Sequence, residues 1–438
     1  MKGLTNFFVK IAQKYLPDAF LFAIILTLIA FALALGLTGK GVIEVLAAWG
    51  GGVWGILAFS MQMVMVLVTG HALASSPPIK RGLAALASAP KNPVQGIMLT
   101  AFVTGIACWV NWGFGLIVGA LLAREVAKKV RGIDYGMLVA AAYSGFVVWH
   151  GGISGSIPLA IAAKGHIVEK LVGVIPVSRT VFAPWNLVIS GAMIVSLPIL
   201  FMFMAKGKKD VVEISPELLA EEPDPAPSPH ATPATRLENS RIVNWVFGLM
   251  GVAYLVYHFA TKGFDLNLNI VNMLFLFAGL LLHGTPINYV RAVDKAIKGA
   301  GGIALQFPLY GGIQGIMVTT GLAGIIANWF VSFSTVDTFP LFTFWAGGII
   351  NFFIPSGGGQ WVVQGPINIP AGIALGVDPA VVAMGISYGD QWTNMVQPFW
   401  ALPLLGIAKL GIRDIMGYCM MTLLVTGVIM SLGLLFLV

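Results

Sequence analysis

Charge is what this chain most lacks. Of its 438 residues only 10% are Asp, Glu, Lys or Arg and 58% are hydrophobic, whereas a soluble domain carries roughly 25% charged residues. That composition excludes a water-soluble globule. Cysteine is nearly as scarce: Cys108 and Cys419 lie inside apolar stretches without CxxC spacing, which argues against a disulfide framework or a zinc site. No His-Glu-x-x-His or phosphate-binding loop occurs, and an enzyme reading has little more than the weak oxyanion-type match His150-Gly-Gly152 behind it. Arginine is absent from every apolar core, all eight lying in loops or at span ends. The formal charge of +7 is therefore spread over short loops, where it reports membrane orientation rather than a nucleic-acid surface.

What is present is apolar and long. Ala19 to Thr38, Val181 to Ala205, Ile242 to Ala260 and Met416 to Val438 each match the ~20 residues that cross a ~30 Å hydrocarbon core. The first run follows Lys2, Lys10 and Lys14 but is long and has no small-residue cleavage site, so it reads as a retained span. Basic residues concentrate in Lys2 to Lys14, Lys80 to Lys91, Arg124 to Arg131, Lys206 to Lys209, Arg291 to Lys298 and Lys409 to Arg413. Positive loops stay cytoplasmic, which places these loops and the N-terminus inside. Too few residues separate Lys91 from Arg124 for two spans of ~20. A re-entrant hairpin is therefore expected over 93–123, its tip at Asn111-Trp-Gly-Phe-Gly115. A second is expected over 340–376, broken at Pro355-Ser-Gly-Gly-Gly359 and bounded by Asp337 and Asp378 without Lys or Arg, hence entering from the other face.

Between these halves, residues 206–241 include the charged, proline-rich Glu221 to Pro229, which can neither bury a core nor span lipid and reads as a cytoplasmic linker. Residues 1–205 and 242–438 align in the order of their features: Val68-Thr-Gly70 with Thr319-Thr-Gly321, Asn111 with Asn351, and the polar break from Tyr143 to Ser156 with that from Ser387 to Gln397. The expected fold is all-α and polytopic, with inverted-topology repeats, about nine spans, two opposed re-entrant hairpins and two broken helices.

Four polar, glycine-rich clusters fall at depths where the chain should be apolar: Asn111 to Gly115, His150 to Ser156, Asn351 to Gln364 and Gly389 to Asn394. Irregular backbone survives in a bilayer only where protein or a water-filled cavity satisfies its peptide groups. Helix N-termini at such breaks attract anions. With no arginine clamp, a small monoanion fits better than a dicarboxylate. The expected substrate-binding residues are Asn111, Gly113, Gly115, His150, Ser154, Ser156, Asn351, Ser356, Gly357, Gly358, Gly359, Gln360, Thr393 and Asn394. Trp109, Trp112, Trp149, Trp361, Trp392 and Trp400 flank the breaks, either as pocket walls for an alkyl stub or as packing and interface residues. His150 would donate to a carboxylate or shuttle protons, or simply be a hydrogen-bonded structural histidine. Asp390, with Gln391 beside it, is the expected coupling-cation site, because an intramembrane carboxylate left unpaired is costly.

Val68 to Ser76, Asn111 to Gly115, Pro355 to Gly359, Gln391-Trp-Thr-Asn394, Gln397-Pro-Phe-Trp-Ala-Leu-Pro403 and Arg413-Asp-Ile-Met-Gly417 together resemble the bacterial short-chain fatty acid transporter family associated with acetoacetate breakdown. The resemblance runs over nearly the whole chain except the linker. It implies kinship with the ion-transporter superfamily of anion symporters: hairpins and broken helices that move as a transport domain, the other spans as scaffold, a homodimer, and a bacterial inner-membrane location. The implied activity is secondary transport of acetate-, butyrate- or acetoacetate-like monocarboxylates by cation symport through an elevator-like mechanism, without a cofactor. An uncoupled channel or facilitator is the rival. The sodium-coupled carriers of that superfamily read Ser-Asn-Thr at their tips, whereas here Asn111-Trp-Gly-Phe and Asn351-Phe-Phe-Ile-Pro-Ser356 stand. The coupling ion is therefore H+ or Na+, with the proton favoured.

Overall fold

The computed structural model describes residues 2–206, 208, 211–215, 217, 232–263 and 267–438. Among them there are helices and no strands. Seven helices are long and apolar enough to cross a bilayer, or eight if the pair Pro286–Thr319 and Leu322–Val331, bent by 60°, is one span. The short apolar helix Asn269–His283 lies below that length. The four apolar runs become Ala19–Leu37, Pro184–Ala205, Arg241–Lys262 and Ile412–Phe436.

The first hairpin is formed by Pro93–Val110 and Trp112–Lys129, 18 residues each, or ~27 Å per arm at 1.5 Å per residue. One residue makes its turn. Asn111 N–H still donates to Ala107 O, and its side-chain oxygen accepts from Phe114 N at 3.0 Å, so asparagine ends one helix and caps the next. The arms touch backbone to backbone: a Cβ built on Gly115 would lie 2.5 Å from Cys108 N, and one on Gly119 2.7 Å from Thr104 Cγ2. Gly115→Val should therefore separate the arms and leave little monodisperse protein on size exclusion. Gly113→Ala, whose Cβ meets nothing closer than 3.5 Å, should elute like the wild type. The opposite ranking would mean the arms do not pack as described.

The second hairpin is Phe339–Asn351 and Gly357–Ala374, with Ser356 capping the second arm. Its first arm packs on Pro379–Thr393 through glycines, a Cβ on Gly389 falling 2.4 Å from Phe344 O. Each hairpin is followed by a helix that breaks and then by a long closing helix. In the first half this is Tyr135–Ser144, a 3-10 turn Gly145–Gly151, the short Ser156–Ile161 and then Pro184–Ala205. In the second it is Pro379–Thr393, Ala401–Ala408 and Ile412–Phe436. The same order appears twice, as the sequence alignment expects.

Several of the basic loops are tied to neighbouring segments. Lys129 Nζ donates to Ser88 Oγ and Ala84 O, Arg413 Nε to Leu16 O, and Lys208 Nζ to Asp134 Oδ2 at 2.6 Å. The beginning of the inter-half linker is thus stitched to the corner between the first hairpin and Tyr135–Ser144: Tyr135 N–H donates to Val212 O and Gly132 N–H to Glu213 Oε1. Its proline-rich stretch, Glu221 to Pro229, lies outside the described residues. Single cysteines at Ser88 and Lys128, both exposed, should be labelled from the same side of the membrane by an impermeant maleimide, the cytoplasmic side if loop charge sets orientation. Labelling from opposite sides would remove the hairpin.

Candidate functional site

The second hairpin's tip and the two helix breaks meet at His150. This ring is fully buried and stacks on Trp149, with centroids 3.8 Å apart. Its Nδ1 lies 3.3 Å from Asp390 Oδ1 and 3.1 Å from Ser387 O, while Nε2 accepts from Ile157 N–H at 3.3 Å. A nitrogen that accepts from a backbone amide carries no hydrogen, so the network selects the neutral tautomer with its hydrogen on Nδ1, aimed at Ser387 O and Asp390. Asp390 is likewise fully buried, and its Oδ2 has no hydrogen-bond partner among the described residues.

Four neighbours hold this pair. Gln391 Oε1 accepts from both His150 N–H and Gly151 N–H, at 2.9 and 3.2 Å. Asn186 Nδ2 donates to Gly151 O, and Tyr388 O–H donates to Asn186 Oδ1. Asn351 Nδ2 donates to Asp390 O, Thr393 Oγ1 and Asn394 Oδ1. A Cβ on Gly357 would lie 2.4 Å from His150 Cε1 and 3.3 Å from Ser156 Cβ, so the start of the second hairpin's returning arm rests directly on the imidazole.

The expected residues divide accordingly. His150, Ser156, Gly357, Asp390 and Gln391 come together, Asn351 braces the Asp390 backbone and Asn394 its carboxylate, and Thr393 accepts from Asn351. Gln391 departs from its expected role as a cation ligand, because its oxygen is already bonded to two amides; of the two coupling residues only Asp390 keeps an unengaged oxygen. Asn111, Gly113 and Gly115 belong to the first hairpin's turn, joined to the centre through Ser154, whose Oγ accepts from Trp112 N–H at 3.1 Å. Gly358 is exposed, with nothing within 4 Å of an added Cβ. Ser356 caps the arm, Gly359 sits against Gln314 Nε2, and Gln360 Nε2 donates to Gly347 O and Gln364 Oε1.

Three tryptophans converge beside His150. Trp112 lies 5.0 Å from Trp400 and 6.0 Å from Trp149, centroid to centroid. The other three face elsewhere: Trp109 edges Phe182, Trp361 joins a separate apolar cluster with Phe339 and Ile369, and Trp392 donates to Leu423 O. Sequence reasoning missed Asn186, Tyr388 and Gln314. Gln314 and Asn186 are single polar residues in apolar runs, a signal available but weaker than a glycine-rich break.

A family model described as short chain fatty acid transporter matches residues 1–437. The chain belongs to the short-chain fatty acid transporter family. It is a multi-pass membrane protein of a transporter family, not an enzyme. A candidate short-chain fatty acid transporter of Escherichia coli is 50% identical over 436 residues, 98% of each chain. One of Haemophilus influenzae, named in the same way, is 44% identical over 443 residues, 99% of each. Among solved structures, the YdaH transporter of Alcanivorax borkumensis aligns over 96% of this chain and 97% of its own, with TM-score 0.44 and 16% identity. The Neisseria gonorrhoeae antimetabolite efflux pump MtrF gives 0.41 at 16% identity, covering 97% of this chain and 96% of its own. For this short-chain fatty acid transporter family member, His150 and Asp390 are the imidazole and carboxylate that meet between the two broken helices.

Proposed function

We propose that this protein is a secondary active transporter that couples uptake of short monocarboxylates to protons. The observation that carries the reading is the fully buried His150–Asp390 contact at 3.3 Å, set where the second hairpin's tip meets both broken helices. The carboxylate of the substrate binds at the start of Gly357–Ala374, whose first amides have no partners within the helix and whose Gly358 is open to approach. The alkyl end packs toward Trp149, Trp112 and Trp400. With the His150 hydrogen held on Nδ1, the transported proton resides on Asp390 Oδ2, the unengaged oxygen. Substrate anion and proton then cross together without net charge.

The hairpins and broken helices act as the moving unit and the remaining spans as scaffold, in an elevator-like cycle within a homodimer of the inner membrane. Dense closure around His150 supports a carrier over an open pore. Counterflow and uptake of labelled acetate, butyrate and acetoacetate in proteoliposomes, with sodium and pH gradients varied separately, test this reading. Accumulation should follow the pH gradient and ignore sodium. A channel would equilibrate the acid and never concentrate it.

A further inference from the structure

Away from His150, on the side of the basic loops, the helices enclose a hollow of about 890 Å3. Eight of its lining side chains are Lys or Arg, against one carboxylate, Glu125, which is itself paired with Lys128. The cations come from both halves of the chain: Lys80 and Arg81 after the helix Leu57–Ala74, Arg124 at the open end of the first hairpin, Arg291 and Lys295 on Pro286–Ile297, and Lys409 at the end of Ala401–Ala408. Orientation in the membrane accounts for basic loops on one face. It does not account for four of them closing around one cavity, where like charges repel.

Lys409 shows that one of these charges is placed at a cost. It adopts φ +57°, ψ +41°, and among the described residues no other non-glycine has positive φ. Helices commonly end in this conformation with glycine, which bears no Cβ strain there. Two residues earlier the turn is anchored by Arg124 Nη1 donating to Ile407 O at 2.8 Å. A strained backbone that persists because its surroundings hold it points to use of the side chain. The hollow is also far larger than a two- to four-carbon acid requires; its volume lies in the range of sites for drug-sized ligands.

We propose that this hollow is a second anion site, separate from the monocarboxylate site, that binds a ligand carrying two or more linked or adjacent phosphates. Guanidinium forks and ammonium groups on several sides match phosphate oxygens that present multiple charges in a small volume. The phosphates belong either to a soluble polyphosphorylated compound or to an anionic lipid headgroup entering from the bilayer.

The full-length protein, in nanodiscs of zwitterionic lipid, is titrated with inorganic triphosphate by calorimetry, and its thermal unfolding is compared with that in nanodiscs containing diphosphatidylglycerol. Lys409→Gly and the double variant Arg291→Gln/Lys295→Gln are measured in parallel, with butyrate counterflow as the check that each is folded. Saturable triphosphate binding, weakened at least ~10-fold in both variants and falling with salt, supports a soluble ligand. Stabilisation by the anionic lipid alone, lost in both variants, supports a headgroup. Lys409→Gly should keep or raise the unfolding temperature without lipid, since it relieves strain. The proposal is overturned if neither probe gives a variant-sensitive response. It is equally overturned if butyrate, at concentrations that saturate transport, competes triphosphate away, which would make the hollow part of the acid's own route.

Discussion

Asp390→Asn should still exchange butyrate across a proteoliposome membrane yet fail to concentrate it. An interior at about −100 mV opposes entry of a monoanion by ~2.3 kcal/mol, roughly a 50-fold bias in concentration at ~1.4 kcal/mol per tenfold. A co-transported proton cancels that term. Asparagine keeps an oxygen for the His150 Nδ1 hydrogen, 3.3 Å away in the native protein, but Nδ2 takes the place of the oxygen that would receive the proton. Accumulation driven by a pH gradient should fall at least ~10-fold, a loss of ~1.4 kcal/mol of coupling. Exchange should stay within about 3-fold, since it does not require the cation site to empty and refill on each cycle. Accumulation at the wild-type level under both proton and sodium gradients would make Asp390 a structural residue. Loss under a sodium gradient alone would move the coupling from protons to sodium.

A Gly357→Val variant should lose butyrate binding altogether while still inserting in the membrane. The added Cβ would fall 2.4 Å from His150 Cε1 and 2.6 Å from Nε2, and the ring cannot retreat while it stacks on Trp149 and accepts from Ile157 N–H. Overpacking of this kind costs ~1–3 kcal/mol in a tight core. Here it also breaks the bond that fixes the tautomer. Gly357→Ala already introduces the clashing atom and serves if valine prevents folding, with monodispersity on size exclusion as the control. The neighbouring Gly358→Val, which meets open space and clashes with nothing in the protein, should fold normally and still lose binding, because its side chain fills the approach of the carboxylate to the helix's first amides. Normal binding by both Gly357 variants would move the carboxylate site elsewhere.

Much of this architecture is legible before folding because it is written in local chemistry. Asn111 is short, polar and a good cap, and the basic residues from Lys80 to Lys91 and from Arg124 to Arg131 put both ends of the intervening segment on one face. The hairpin and its turn follow from those two facts. The second hairpin follows from Pro355 and three glycines in an otherwise apolar run. The pairing of His150 with Asp390 is not legible, since the two lie on different broken helices and nothing local to either names the other. Nor does the sequence reveal that Gln391 spends its oxygen on two amides, or that Trp109, Trp361 and Trp392 turn away from His150 while Trp112, Trp149 and Trp400 turn toward it. Those orientations depend on which face of each helix meets a partner from the other half.

The division of the central network between the two halves also bears on how the chain is made. Tyr143 O–H donates to Asn394 O, Ser144 shares a hydrogen bond with Thr422, and His150 N–H donates to Gln391. While the ribosome has delivered only the first half, every one of those partners is still unsynthesised. The broken helix must then wait in the bilayer with peptide and side-chain groups unmatched, a state that costs several kcal/mol per group in hydrocarbon. The nascent protein therefore depends on shelter, from water at the insertion machinery or from a chaperone, until Pro379–Thr393 arrives to complete the first half's interior.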